Sequence, residues 1–177
     1  MNFFEFYDLP ISFVVDEKVL KQRFLQKSKQ HHPDFHTLSS TDEQEEVLQL
    51  STLNNQAYKT LSDTDSRIKY VLALYGLLEE GERYTLPPDF LMDMMDINEE
   101  LMELQSNFDE QAHQRIEQQI NALEQQLHAQ TTAQIQAYTA SEDETEKSHL
   151  LLEIKKCYYK MRYLLRVKKT CRTFALS

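Results

Sequence analysis

The chain has 177 residues, 41% of them hydrophobic, and a formal net charge of −10. That length allows one domain or two small ones around a buried core, while only 2 Gly and 4 Pro are too few for the tight turns of a β-rich fold. The abundance of Glu, Gln, Leu and Lys favours helix. The acidic excess argues against general nucleic-acid binding, and no run of about 18 apolar residues is there to cross a membrane. The opening MNFFEFYDLP lacks the basic-then-apolar build of a secretory signal, so a cytoplasmic location is expected.

Four helices are expected before residue 76. A short one covers NFFEFYDL and stops at Pro10. The second starts after Asp16, an N-cap residue type, and runs through EKVLKQRFLQKSKQ. Leu20, Phe24 and His31 fall near one face of it. Lys18, Lys21, Arg23, Lys27 and Lys29 occupy the remainder, without an acid among them. The stretch HHPD follows at residues 31–34, and Pro33 forbids the helix from continuing. Ser40-x-x-Glu43 is a capping-box pattern that opens a third helix. Along it Val47, Leu50, Asn54, Ala57 and Leu61 keep the 3–4 spacing of a core stripe, flanked by Leu53 and Tyr58. The fourth, SRIKYVLALYG, ends at Gly76.

Residues 77–88, LLEEGERYTLPP, hold the other Gly and a Pro pair and read as a linker between a unit at 1–76 and a second at 89–177. The second unit opens with DFLMDMMDINEELMEL, started by the prolines. A Gln-rich helix from Asp109 to Ala140 carries a narrow apolar stripe through Ile116, Ile120, Leu123 and Leu127. Ser141-x-x-Glu144 is a second capping-box pattern, opening a last helix to about Arg172. The fold expected is all-α: a helical hairpin with two short helices, then an antiparallel three-helix bundle. Residues 151–177 are strongly basic and are expected to pair with the acidic helices beside them. Cys157 and Cys171, on one helix, stand about 21 Å apart and cannot form a disulfide.

Three chemistries would use HHPD. A metal site of His31, His32 and His36 with Asp34 needs helical i, i+4 spacing across Pro33, which the proline denies, and no cysteine is near. A His32–Asp34 dyad lacks a nucleophile elbow, a Gly-rich loop or any other catalytic signature in this chain. A docking loop accounts for both the proline and the cations. Pro33 restricts the backbone and lowers the entropy lost on binding, and the cations steer toward an acidic partner. In the second unit, the helix DFLMDMMDINEELMEL is apolar on too many sides for one core stripe. Leu91, Met92 and Met95, beside Asp96, Glu99 and Glu103, fit either a core with a solvated acidic edge or an adaptable partner surface.

A basic helix, His-Pro-Asp and a helix ending NQAYKTL resemble a J-domain, the module by which DnaJ-type co-chaperones engage a heat-shock 70-type chaperone. The opening FFEFYDLP, the run NNQAYKTLSDTDSRIKYVLALYG and the later FLMDMMDINEELME extend the resemblance over most of the chain to the HscB family, co-chaperones of iron–sulfur cluster biogenesis. This resemblance implies that His32, Pro33 and Asp34 stimulate ATP hydrolysis by an HscA-like chaperone, with Lys18, Lys21, Arg23, Lys27 and Lys29 touching it. It implies that Leu91, Met92, Met95, Asp96, Glu99 and Glu103 hold an IscU-like scaffold protein, with an aromatic contact at Tyr159, or at Tyr158 after a one-residue shift. It implies no catalytic residue, cofactor or metal. Two departures stand out. Lys27 occupies a position usually given to a core leucine, with Leu25 or a snorkelling lysine stem as substitutes, and His36 replaces a basic residue. The competing readings are a J-domain protein with another client and a His-based metal-binding protein.

Overall fold

The structure is a computed structural model that describes residues 1–32, 34, 40–79 and 81–174, the last by its backbone alone. Its described residues form seven helices and fall into two compact units, Met1–Leu78 and Glu79–Ser177.

The first unit holds α1 (Phe3–Phe6), α2 (Glu17–Gln30), α3 (Thr41–Ser62) and α4 (Thr64–Leu74). α1 starts with a capping box in which Asn2 and Glu5 side chains each accept the other's backbone N–H at 2.9 Å. It ends sooner than Pro10 demands. Asp8 takes a left-handed φ of 53°, and Leu9 N–H donates to the Phe4 carbonyl at 2.9 Å, closing the helix at Phe6. Asp is among the few residues other than Gly that tolerate this conformation. Asp16 caps α2 by accepting the Lys18 and Val19 N–H groups, and Ser40 and Glu43 form the expected box on α3. At the end of α4, Gly76 (φ 70°) lets Leu77 N–H reach the Leu72 carbonyl at 2.9 Å. Leu77 to Leu72 and Gly76 to Ala73 are the paired bonds of a Schellman turn.

α2 and α3 make the hairpin, and the core stripe of α3 is buried at Val47, Asn54, Ala57 and Leu61. A polar knot crosses it. Tyr7, fully buried, points its hydroxyl at the Asn54 carbonyl (2.8 Å) and side-chain Oδ1 (2.7 Å). Asn54 Nδ2 donates to the Phe24 carbonyl at 3.2 Å and to Ser28 Oγ at 2.9 Å. One asparagine thus ties α1, α2 and α3 and leaves no polar atom stranded, which is what burial requires. Burial pushes the Tyr7 phenol well above its ordinary pKa, so it remains a donor. Arg67 performs a similar task at the α3–α4 corner, donating to the carbonyls of Phe13 (2.8 Å) and Leu61 (2.5 Å) from a buried position.

In the second unit, α5 (Pro88–Ser106) packs on a hairpin of two 31-residue helices, α6 (Glu110–Ala140) and α7 (Glu144–Phe174), each about 46 Å long. The cap of α7 differs from expectation. Ser141 ends α6, and Asp143 caps α7 by accepting the Thr145 and Glu146 N–H groups at 2.7 and 3.0 Å. Asp143-x-x-Glu146 overlaps the Ser141 pattern, and the three-residue turn selects the later one. α5 contributes Phe90, Met94, Ile97, Leu101 and Leu104 to the core against Ile116 and Ile120 of α6 and Leu164 and Val167 of α7. At the closed end His113 Nε2 lies 3.0 Å from the Cys171 carbonyl. Both cysteines are unbridged and buried, and burial raises their thiol pKa values. The basic tail pairs less widely than expected: among the described residues, Lys168–Glu124 is the ion pair that joins α7 to α6.

Removing the Asn54 side chain leaves the Tyr7 hydroxyl and the Phe24 carbonyl without it. Asn54→Ala should cost about 1–3 kcal/mol of unfolding free energy, read as a lower urea midpoint with unchanged slope. An unchanged midpoint would contradict this account of the hairpin.

Candidate functional site

The cations of α2 do not form one surface. At about 100° per residue, positions 18, 21, 25 and 29 share a face. Lys18, Lys21 and Lys29 are exposed there, and Leu25, 55% exposed, lies among them. Arg23 and Lys27 are half-buried and fall on the side of Leu20, the buried residue of α2. Lys27 Nζ sits 4.5 Å above the Phe6 ring. The lysine therefore snorkels, covering an aromatic with its stem and keeping its charge over the ring face. Leu25 does not replace the missing core leucine.

His31 closes α2, its N–H donating to the Lys27 carbonyl at 2.9 Å. His32 and Asp34 are both exposed. The Asp34 N–H donates to His32 Nδ1 at 3.2 Å, and the Asp34 carboxylate comes within 3.7 Å of the same nitrogen. Pro33 and His36 lie outside the described residues. Among the described residues no three His, Cys, Asp or Glu side chains are grouped to hold a metal ion.

On α5 the structure separates the two readings of its apolar residues. Phe90, Met94, Ile97, Leu101 and Leu104 point inward. Met92, Met95 and Met102 are 67%, 60% and 69% exposed. Asp96, Glu99 and Glu103 are exposed on the same side, and Leu91 is half-buried at its edge. This is an outward strip of thioethers framed by carboxylates, almost opposite the core face.

Tyr159 is drawn elsewhere. Its hydroxyl donates to Glu82 Oε2 at 2.8 Å, and its ring stacks on Tyr84 with centroids 4.3 Å apart and planes 4° from parallel. Lys155 Nζ donates to the other Glu82 oxygen at 2.5 Å. Tyr158 meets the Tyr159 ring edge-on at 5.2 Å. The residues expected to act as a linker thus include Glu82 and Tyr84, which clasp α7, and Leu86, which packs on the core. Donation from Lys155, then from Tyr159, holds the Glu82 carboxyl below its ordinary pKa, while burial and the bond to Glu82 push the Tyr159 phenol up to about 12. No spacing rule exposes this clasp, since its partners are over seventy residues apart and one side is irregular.

No helix among the described residues is long and apolar enough to cross a membrane. A family model described as the HSCB C-terminal oligomerisation domain matches residues 86–172. The co-chaperone protein HscB homolog of Vibrio cholerae serotype O1 (strain M66-2) is 34% identical over 160 residues, covering 88% of this chain and 93% of its own. The homolog of Vibrio atlanticus is 28% identical over 165 residues, with the same coverage. Among solved structures, chaperone HscB from Vibrio cholerae superposes with a TM-score of 0.70 at 26% identity, covering 98% of this chain and 96% of that one. Human co-chaperone protein HscB gives 0.75 at 30% identity, covering 98% and 81%.

A carboxyl whose folded pKa is depressed stabilises its contact at pH above the unfolded value and loses that contribution as pH falls through the folded value. In a carboxyl NMR titration, Glu82 should therefore have a midpoint below the ordinary glutamate value of 4.5, with the Tyr159 ring signals moving through the same transition. A midpoint at 4.5 with static Tyr159 signals would contradict the clasp.

Proposed function

The chain belongs to the HscB co-chaperones of iron–sulfur cluster biogenesis, and from that premise we propose that it stimulates ATP hydrolysis by an HscA-like heat-shock 70-type chaperone while delivering an IscU-like scaffold protein to it. The observation that carries the delivery half is the outward strip of α5. Three methionines at 60–69% exposure are a large apolar display for a soluble surface. Methionine adapts its shape to a partner, and the carboxylates of Asp96, Glu99 and Glu103 select one with cations opposite. Leu91 supplies a fixed apolar edge. Tyr159 contributes through the clasp, its hydroxyl already committed to Glu82.

The stimulating half rests on the turn after α2. Asp34 and His32 offer an exposed carboxylate and an exposed imidazole, groups suited to directional contact with a folded surface. Pro33 completes the tripeptide in the sequence. Lys18, Lys21 and Lys29 form the steering face beside it, and Arg23 and Lys27 add charge from its inner flank. The chain is an adaptor with no chemistry of its own, working in the cytoplasm. Holding chaperone and scaffold on one chain raises the effective concentration of one at the other.

Two measurements test the halves separately. Asp34→Asn should abolish the stimulation of steady-state ATP hydrolysis by the chaperone while leaving scaffold affinity unchanged. Met92→Ala/Met95→Ala should weaken scaffold binding about tenfold or more in calorimetry, with J-domain stimulation in the absence of scaffold intact. Full stimulation by Asp34→Asn would remove the first half of the proposal, and undiminished scaffold affinity in the methionine variant would remove the second.

A further inference from the structure

Among the described residues, the second unit holds lysines with carboxylate partners and arginines without. Lys147, Lys155, Lys156 and Lys168 each pair with a glutamate. Arg83, Arg162 and Arg166 have no ion pair among the described residues, and all three are exposed. They line one cleft of about 300 Å³ between the segment before α5 and α7, together with Glu82, Tyr84 and Tyr159. At positions 159, 162 and 166 the α7 residues fall on one face of that helix. Arg166 is further steadied by the Tyr163 ring, 5.2 Å from its guanidinium. Glu82 is the carboxylate of this cleft and is already held by Lys155, so the three guanidiniums present their charge outward, where a carboxylate from outside can meet them.

We infer that this cleft is a docking site for an acidic peptide segment of a protein partner, gripped by Arg83, Arg162 and Arg166 over the Tyr84–Tyr159 stack. Four features favour carboxylates carried on a peptide. The guanidinium fork matches a carboxylate with two parallel hydrogen bonds. Glu82 already rests in the same cleft on Lys155 and Tyr159, so one carboxylate shows how its edge receives another. The parallel tyrosine pair is a rigid, amphipathic floor that loses little entropy on binding, and Tyr and Arg are the side chains that dominate binding energy at interfaces. The volume is at the lower end of small-ligand sites, room for a few side chains and not for a nucleic-acid strand. The cleft shares Tyr159 with the proposed scaffold-binding set but none of the methionine strip, and the inference does not require the scaffold reading.

The test uses the full chain and a short fluorescein-labelled peptide alternating Glu and Ala, followed by fluorescence anisotropy at low salt, with a Lys/Ala peptide as the opposite-charge control. Saturable binding of the Glu peptide alone is expected. Arg162→Ala/Arg166→Ala should weaken it about tenfold or more, since charge-assisted arginine contacts carry the grip. Both side chains are exposed, and circular dichroism melting of this variant should match the wild type. Lys18→Ala/Lys21→Ala, which removes the same charge from the other unit, should leave the affinity unchanged, as should Met92→Ala/Met95→Ala. Absence of saturable binding, undiminished binding in the arginine variant, or an equal loss in the lysine variant would each overturn the assignment.

Discussion

What the second unit can offer a partner depends on how α5 divides its apolar residues. Phe90, Met94, Ile97, Leu101 and Leu104 are locked into the bundle, and this fixes the helix rotation about its axis. Once that rotation is set, Met92, Met95 and Met102 have no core to enter and stand in solvent beside Asp96, Glu99 and Glu103. A helix with only one apolar stripe would have had nothing left to present. The long α6–α7 hairpin supplies the surface against which the inward stripe is held, with the Lys168–Glu124 pair joining its arms.

The first unit solves a different problem with a similar economy. Its hairpin is short and its α2 face is thinly apolar, with Leu20 the buried residue of that helix. Tyr7 and Asn54 compensate by joining three helices through satisfied polar contacts. Lys27, in place of a core leucine, covers Phe6 with its stem. That arrangement leaves Lys18, Lys21 and Lys29 free of packing duties on the outward face, next to the turn that carries His32 and Asp34.

Much of this was legible because its causes are local. The caps at Asp16 and Ser40 and the stop at Gly76 depend on residues within one turn, and the stripe of α3 depends on spacing alone. Where two local rules competed, the sequence misled. The helix at the start ends at the left-handed Asp8 and not at Pro10, and Asp143 prevails over Ser141 as the cap of α7. Non-local contacts were beyond reach. Nothing in the stretch ERYTL marks Glu82 and Tyr84 as partners of Tyr159, so the residue expected to supply an aromatic contact is found hydrogen-bonded to Glu82 and stacked on Tyr84. In the tail of α7 charge balance was a partial guide: Lys168 does pair with Glu124 of α6, whereas Arg162 and Arg166 line a cleft. For α5, spacing left core and surface equally open, and only packing against α6 and α7 decided between them.

The central claim is that both surfaces must sit on one chain. The most direct measurement is the extra chaperone ATP hydrolysis produced by adding scaffold, compared between the wild-type chain and an equimolar mixture of the Asp34→Asn and Met92→Ala/Met95→Ala chains. In the mixture each surface is present and intact, but never both on the same molecule. Tethering predicts that the scaffold-dependent gain seen with the wild type is lost in the mixture. A mixture that recovers the full gain would show that the two surfaces act independently and would contradict the adaptor account.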